Sequence, residues 1–265
     1  MSDVRLLQGD CLELMQDIPD NSIDMILCDL PYEITANNPW DKRIPFNKLW
    51  PQYVRIAKET TPIVLFSSGR FTAELIMSNI LDFKYTLVWD KVLPSGFLNA
   101  NKQPLRVHED IVVFYEKQCT YNPQKVKGDL CHKRGRSTGG SGTGTNYGNY
   151  TFVDTYSDEK FPVSILQYSK PKASSANNTF HPTQKPVDLL EYLIRTYTNE
   201  GDTVLDNCMG SGSTGVAAVN TNRNFIGMEL QDDYYKIAKD RIEQAQKFPN
   251  TEYKKPIQSS NKRLF

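Results

Sequence analysis

Long apolar runs are missing. No stretch of the 265 residues approaches the roughly 18 apolar residues that read as a membrane span, and residues 1–10 hold no apolar segment behind a basic patch. A membrane partner and a secretory leader are therefore not expected, and a cytoplasmic location is. Paired cysteines are missing too. Cys11, Cys28, Cys119, Cys131 and Cys208 are odd in number and no two stand as C-x-x-C, while His108, His132 and His181 lie far apart. A disulfide framework and a structural metal site are not expected, and reduced thiols fit a cytosolic compartment. An excess of one charge is also lacking, with 31 basic against 31 acidic side chains, so a uniformly basic nucleic-acid coat is excluded.

The charge is unevenly spread. Residues 1–90 hold 8 basic and 13 acidic side chains, residues 91–136 hold 9 and 4, and residues 137–265 hold 14 of each. The middle segment is where a polyanion would bind; a solvated face is the plainer alternative.

Apolar patterning gives alternating strands and helices. Strands are expected at 4–7, 23–28, 62–67, 85–89, 111–115, 203–205 and 225–228. Helices are expected at 11–15, 45–60, 71–80, 186–198, 215–220 and 232–246. Such alternation implies an α/β fold with a mostly parallel sheet. The pattern fails over 116–180. There, six of the fourteen residues Gly135–Gly148 are glycine, and the run is either a linker or a binding element. The chain thus divides into a discontinuous catalytic domain (1–115 and 181–247), an insert (116–180) expected to recognise the target, and a tail (248–265).

Gly210-Ser211-Gly212-Ser213-Thr214-Gly215 fits G-x-G-x-x-G between a strand and a helix, and Glu229 lies 19 residues beyond its first glycine. Two cofactors fit this pattern: a nicotinamide or flavin dinucleotide, or S-adenosylmethionine. Asp206, ending the strand before the loop, would repel a pyrophosphate and attract an ammonium and a sulfonium, which favours S-adenosylmethionine. Glu229 could accept hydrogen bonds from ribose hydroxyls of either.

Asp29-Leu30-Pro31-Tyr32 follows a buried strand, at the carboxyl edge where open α/β sheets bind ligands. An exocyclic amine on a nucleobase is a poor nucleophile because its lone pair is delocalised into the ring. The Asp29 carboxylate and the Leu30 carbonyl could accept its two protons and favour a tetrahedral nitrogen. Tyr32 could stack on the base, and Pro31 stiffens the turn. The plain alternative is a strand-to-loop turn with a solvent-facing Asp.

With these residues stated, the chain resembles the prokaryotic and phage amino-methyltransferases of DNA bases, whose tetrapeptide is usually Asp-Pro-Pro-Tyr. The departure is Leu30, of which only the carbonyl is needed. The resemblance is carried also by Gly9-Asp10-Cys11 with 19–26, by His108–Phe114, by His181-Pro182-Thr183-Gln184-Lys185-Pro186, and by 206–214. The tetrapeptide precedes the cofactor loop, as in the family's permuted beta group. The resemblance implies a Rossmann-like methyltransferase fold with helices on both sheet faces, and direct in-line methyl transfer from S-adenosylmethionine to a flipped base. Asp at the first tetrapeptide position points to the N6 amino group of adenine rather than N4 of cytosine.

Transferred by position, the resemblance puts Asp10 and Cys11 at the cofactor adenine, and Thr183 and Lys185 at its methionine carboxylate. Asp206, Gly210 and Gly212 would cradle the methionine part and Glu229 the ribose, with Asn207, Ser211 and Ser213 also at the cofactor. Trp40 could help close the site. Lys91, Arg106, Lys133, Arg134 and Arg136 are expected to contact double-stranded DNA. A homodimer and a cognate restriction endonuclease are further partners the resemblance allows. A nicotinamide-dependent oxidoreductase and an inactive DNA-binding module are the rivals from other classes.

Overall fold

The structure is a computed structural model that describes residues 2–33, 42–128, 158–170, 184–250 and 256, with the backbone of 142–144 and 148–150. It divides into two compact units, residues 1–122 with 164–265, and residues 123–163.

The larger unit holds strands β1 (Val4–Gln8), β2 (Met25–Cys28), β3 (Ile63–Ser67), β4 (Phe83–Ser95) and β5 (Arg106–Phe114). The smaller holds β6 (Val126–Lys127), β7 (Gly142–Gly144), β8 (Gly148–Tyr150) and β9 (Glu159–Lys160), after which β10 (Ile165–Gln167), β11 (Thr203–Asp206) and β12 (Asn224–Glu229) belong to the larger again. Helices α1 (Cys11–Leu14), α2 (Phe46–Ile56), α3 (Arg70–Ser78), α4 (Val187–Tyr197), α5 (Ser213–Asn220) and α6 (Asp232–Lys247) complete the larger unit. Eight strands form one sheet in the order β1-β12-β11-β2-β3-β5-β4-β10. All neighbours pair in parallel except β5, which is antiparallel to both β3 and β4.

The period-2 alternation of strands sends neighbouring residues to opposite faces. Met25, Leu27, Val64, Phe66, Val204 and Phe225 pack with Leu189, Leu193, Ala217 and Ile242 of α4, α5 and α6. Ile26, Cys28, Leu65, Leu205 and Met228 pack with Leu49, Tyr53, Ile56, Phe71 and Leu75 of α2 and α3. A strand buried on both faces reads as a continuous apolar run, as 25–28 and 63–66 do.

Parallel pairing also fixes the functional edge. The carboxyl ends of β1, β2, β3, β4, β11 and β12 share one rim, and the reversed β5 brings its amino end there. β11 sits beside β12 on one side and β2 on the other, and the chain proceeds outward in both directions from that pair. This is the switch point where open sheets leave a crevice.

Three expectations are corrected. β4 extends from Phe83 to Ser95, well beyond 85–89. Residues 165–167, placed in the insert by their sequence, pair with β4 at the sheet edge. The compact insert accordingly spans Pro123–Val163 rather than 116–180. Within that unit β6 pairs antiparallel with β9, β7 pairs antiparallel with β8, and Lys125 meets Glu159 at 3.2 Å. Lys133, Arg134, Arg136, Trp40, Thr183 and nearly all of the tail lie outside the described residues.

Candidate active site

Gly9 ends β1 with φ +147°, and its N–H bonds the Glu229 carbonyl at 3.0 Å, tying the ends of β1 and β12 together. Asp10 then caps α1, its carboxylate accepting the Leu12 N–H at 2.8 Å. On the next strand, Asp206 accepts the Cys208 N–H at 3.1 Å, and Glu229 accepts the Gly210 N–H at 2.9 Å and the Gln231 N–H at 2.8 Å. Burial pushes the Asp206 carboxyl up to about 6, opposed by the Thr214 side chain and then the Cys208 N–H, and pushes that of Glu229 above the usual range, opposed by backbone N–H groups.

Across the switch point, Asp29 is held from two sides. Lys185 donates to Oδ2 at 2.6 Å and the Tyr32 hydroxyl donates to Oδ1 at 2.7 Å. The Tyr32 ring stacks on Phe71, with centroids 4.6 Å apart. Lys185 also meets Glu109 at 3.3 Å, and the other oxygen of Glu109 meets Lys91 at 3.1 Å. A chain of alternating charge, with both lysines buried, thus runs Lys91–Glu109–Lys185–Asp29. Burial alone would lower the Lys185 ammonium, but Asp29 and Glu109 hold it above its ordinary value. Burial would likewise raise Glu109, but Lys185 and then Lys91 keep it below the usual carboxylate range. The rings of Phe66 and Trp89 lie 5.0 and 5.9 Å from the Lys185 ammonium and complete its cage.

One cavity of about 680 Å³ joins these groups. Asp29, Leu30, Pro31 and Tyr32 line it from β2, with Asp10 and Cys11 from β1. Asp206, Asn207, Gly210, Ser211 and Ser213 line it from β11, with Glu229 from β12 and Lys185 ahead of α4. Its carboxylates are Asp10, Asp29, Glu109, Asp206 and Glu229, while Lys42, Arg43, Lys48, Arg106 and Lys170 are among its basic lining residues.

Three assigned residues are already engaged within the protein. Lys185, expected at a methionine carboxylate, spends its ammonium on Asp29 and Glu109. Lys91, expected on DNA phosphates, is 2% exposed and paired with Glu109. Gly212 does not line the cavity. Its φ of +79° turns the chain into α5, and a Cβ there would stand 2.9 Å from Ala238 of α6. Asn207 lines the cavity, but its amide is fixed by the Tyr53 hydroxyl at 2.5 Å and by the sulfurs of Cys11 and Cys208.

Glu109 and Phe71 went unassigned in the sequence reading. Glu109 carried a usable signal, a carboxylate leading into the apolar run Ile111–Phe114. Phe71 carried none, since an aromatic on a helix reads as core.

The family model for DNA methylases (N6_N4_Mtase) matches residues 23–240. The chain belongs to this family. It is 26% identical over 259 residues to the type II methyltransferase M.HpaI of Haemophilus parainfluenzae, covering 91% of this chain and 74% of that one. It is also 26% identical over 262 residues to the DNA adenine methyltransferase YhdJ of Escherichia coli K12, covering 94% and 86%. Among solved structures, the M1.HpyAVI complex with S-adenosylmethionine superposes with a TM-score of 0.61 at 23% identity, covering 90% of this chain and 98% of that one. The cytosine-N4-specific PvuII DNA methyltransferase gives 0.60 at 19%, covering 91% and 86%. These likenesses show the fold: an α/β methyltransferase sheet flanked by helices.

Proposed function

We propose that this DNA methylase transfers a methyl group from S-adenosylmethionine to the N6 amino group of adenine in double-stranded DNA, at a specific site and on a flipped-out base. The observation that carries the reading is the shared cavity: the Asp29–Tyr32 turn and the Asp206–Ser211 loop open onto one space, although Asp206 lies 174 positions beyond Tyr32 in the sequence.

The cofactor supplies a methyl group on a sulfonium. The residues present suit such a cation. Asp206 is a nearly buried carboxylate facing the cavity, and Glu229 stands beside it for the ribose. A dinucleotide fits poorly, because the Gly210 N–H that would cradle a pyrophosphate is already taken by Glu229 at 2.9 Å.

In the proposed reaction the target amine donates to Asp29 Oδ1 and to the Leu30 carbonyl. This displaces the Tyr32 hydroxyl, while Lys185 keeps hold of Oδ2. The Tyr32 ring, backed by Phe71, receives the base. Asp29 faces the positive charge that grows on the amine nitrogen as the methyl arrives, and then accepts its proton. Positioning and electrostatics do the work. Asp10 and Cys11 would meet the cofactor adenine. Adenine is preferred over cytosine because Asp opens the tetrapeptide, and the relative YhdJ is named an adenine enzyme.

Expression in a host lacking the mark, followed by nucleoside mass spectrometry of its DNA, tests the reading. N6-methyladenine is expected, and Asp29→Ala should abolish it while cofactor affinity stays nearly intact. N4-methylcytosine would move the target to the other base, and no methylated nucleoside would end the proposal.

A further inference from the structure

β4 and β5 continue past the sheet as a two-stranded arm. Their pairing is regular from Tyr85 opposite Val113 to Asp90 opposite His108. Residues 91–94 then face Val107 alone before Ser95 meets Arg106. Such a bulge re-aims a strand. Lys91 turns inward to Glu109, and Val92 takes φ +67°, a left-handed conformation that a β-branched side chain rarely adopts. Asp90 holds that kink by accepting the Val92 N–H at 2.8 Å. Gly96, at φ +89°, turns the chain into a short helical turn, Phe97–Asn99.

The arm's tip is apolar and uncovered. Phe97 is 66% exposed and Leu98 fully exposed. Residues 91–108 contain no carboxylate, but they hold Lys102 and Arg106 and the amides Asn99, Asn101 and Gln103. Arg106 bonds Ser68 at 2.8 Å and lines the cavity. The arm's root is tied through Lys91, Glu109 and Lys185 to the carboxylate of Asp29, so its position is fixed relative to the catalytic turn.

We propose that this arm is a wedge for duplex DNA. Phe97 and Leu98 enter the base stack where the target nucleotide leaves, and Lys102 and Arg106 meet the neighbouring phosphates. The proposal rests on the base-flipping reading of the site. An extruded base leaves an unstacked gap whose walls are apolar base faces. An apolar side chain in that gap restores contact and keeps the base from returning. Cations without carboxylates suit a polyanion, and amides suit base edges.

The test uses the full chain and a duplex carrying its mapped methylation site, in two forms. In one the target base is paired; in the other it lies opposite an abasic position and is extruded at much lower cost. With Phe97→Ala/Leu98→Ala, methylation of the paired duplex should fall about 10- to 100-fold and that of the unpaired form by less than about threefold. A fluorescent base analogue at the target should lose its emission rise on binding in the paired duplex, with cofactor affinity unchanged. Leu98→Gln should shift the same ratio in the same direction. Equal losses on both duplexes, or no loss on either, would overturn the wedge while leaving the methyltransferase reading standing. A change in mass in solution with both activities lost would make the tip a contact between copies of this chain instead. A native protein that methylates neither form would remove both proposals.

Discussion

Asp206→Asn should make the protein without cofactor more stable, and worse at binding its cofactor. Burial raises the Asp206 carboxyl from 3.8 to about 6. The unfolded chain therefore ionises this group more readily than the folded one, and folding is penalised as pH rises from about 4 to about 6. Above that window the penalty is constant, at roughly 3 kcal/mol for a shift of this size. At pH 5 about half of it is present. Asparagine has the shape of aspartate and can still accept the Cys208 N–H, so the variant sheds the penalty without losing that bond. Solvent relaxation reduces the gain, and a rise of roughly 5 °C in melting temperature at pH 7.5 is expected. Melting both proteins by calorimetry at pH 5 and 7.5 measures the effect. The difference between variant and native should be larger at the higher pH, since only the native protein titrates here. In parallel, titration with S-adenosylmethionine at pH 7.5 should show affinity falling roughly 10- to 100-fold, the worth of a charge-assisted hydrogen bond. A variant less stable than the native protein at pH 7.5, or a stability difference equal at the two pH values, would refute the assignment of Asp206 as a desolvated carboxylate awaiting a cation.

Lys185→Met should leave Asp29 and Glu109 without their shared ammonium. Turnover is expected to fall about 100-fold or more, with stability lower by roughly 3 kcal/mol, and Lys185→Arg should recover part of both; steady-state kinetics and denaturant melts read the outcome. Arg106→Ala should weaken DNA binding and reduce the slope of log affinity against log salt by about 1, measured by fluorescence anisotropy over a salt series. Gly212→Ala should destabilise the fold by about 1–3 kcal/mol in a denaturant melt, because a Cβ at φ +79° meets the Ala238 backbone at 2.9 Å, with cofactor affinity little changed in the protein that remains folded.

The sequence made the sheet's centre legible because parallel strands buried on both faces must be largely apolar, and 25–28 and 63–66 are apolar without interruption. It failed where charge enters a strand. Reading β4 as ending at Trp89 stopped at Asp90 and Lys91, which look like a surface turn. In the folded chain Lys91 is buried against Glu109, a partner 18 residues away whose proximity depends on the β4–β5 pairing. The same blindness put Lys91 on DNA. β10 was missed because a three-residue edge strand has too little pattern to separate from a loop. Gly212 carries a different ambiguity. A glycine kept for close packing against a helix and a glycine kept for approach to a ligand look identical in sequence, and only the position of Ala238 distinguishes them.

Charge divides the cavity into two working halves, and the division follows from what holds each carboxylate. Asp29 and Glu109 are gripped by the ammonium groups of Lys185 and Lys91, so that four-membered chain carries no net charge. Asp206 and Glu229 are instead gripped by neutral donors, the Thr214 side chain and backbone N–H groups, which orient a carboxylate without cancelling its charge. A cation entering the cavity is therefore drawn to the β11–β12 side and not to Asp29, although all of these carboxylates share one space. If Asp29 were unpaired, it would compete for the donor's ammonium and sulfonium and would already be engaged when the base arrived. In the proposed reaction, pairing it with Lys185 would reserve its Oδ1 for a neutral amine, whose N–H would need only to displace the Tyr32 hydroxyl, a like-for-like exchange of hydrogen bonds. The positive charge that would then develop on the amine nitrogen would lie beside a carboxylate already fixed in place, so little reorganisation would be needed as the methyl group arrived.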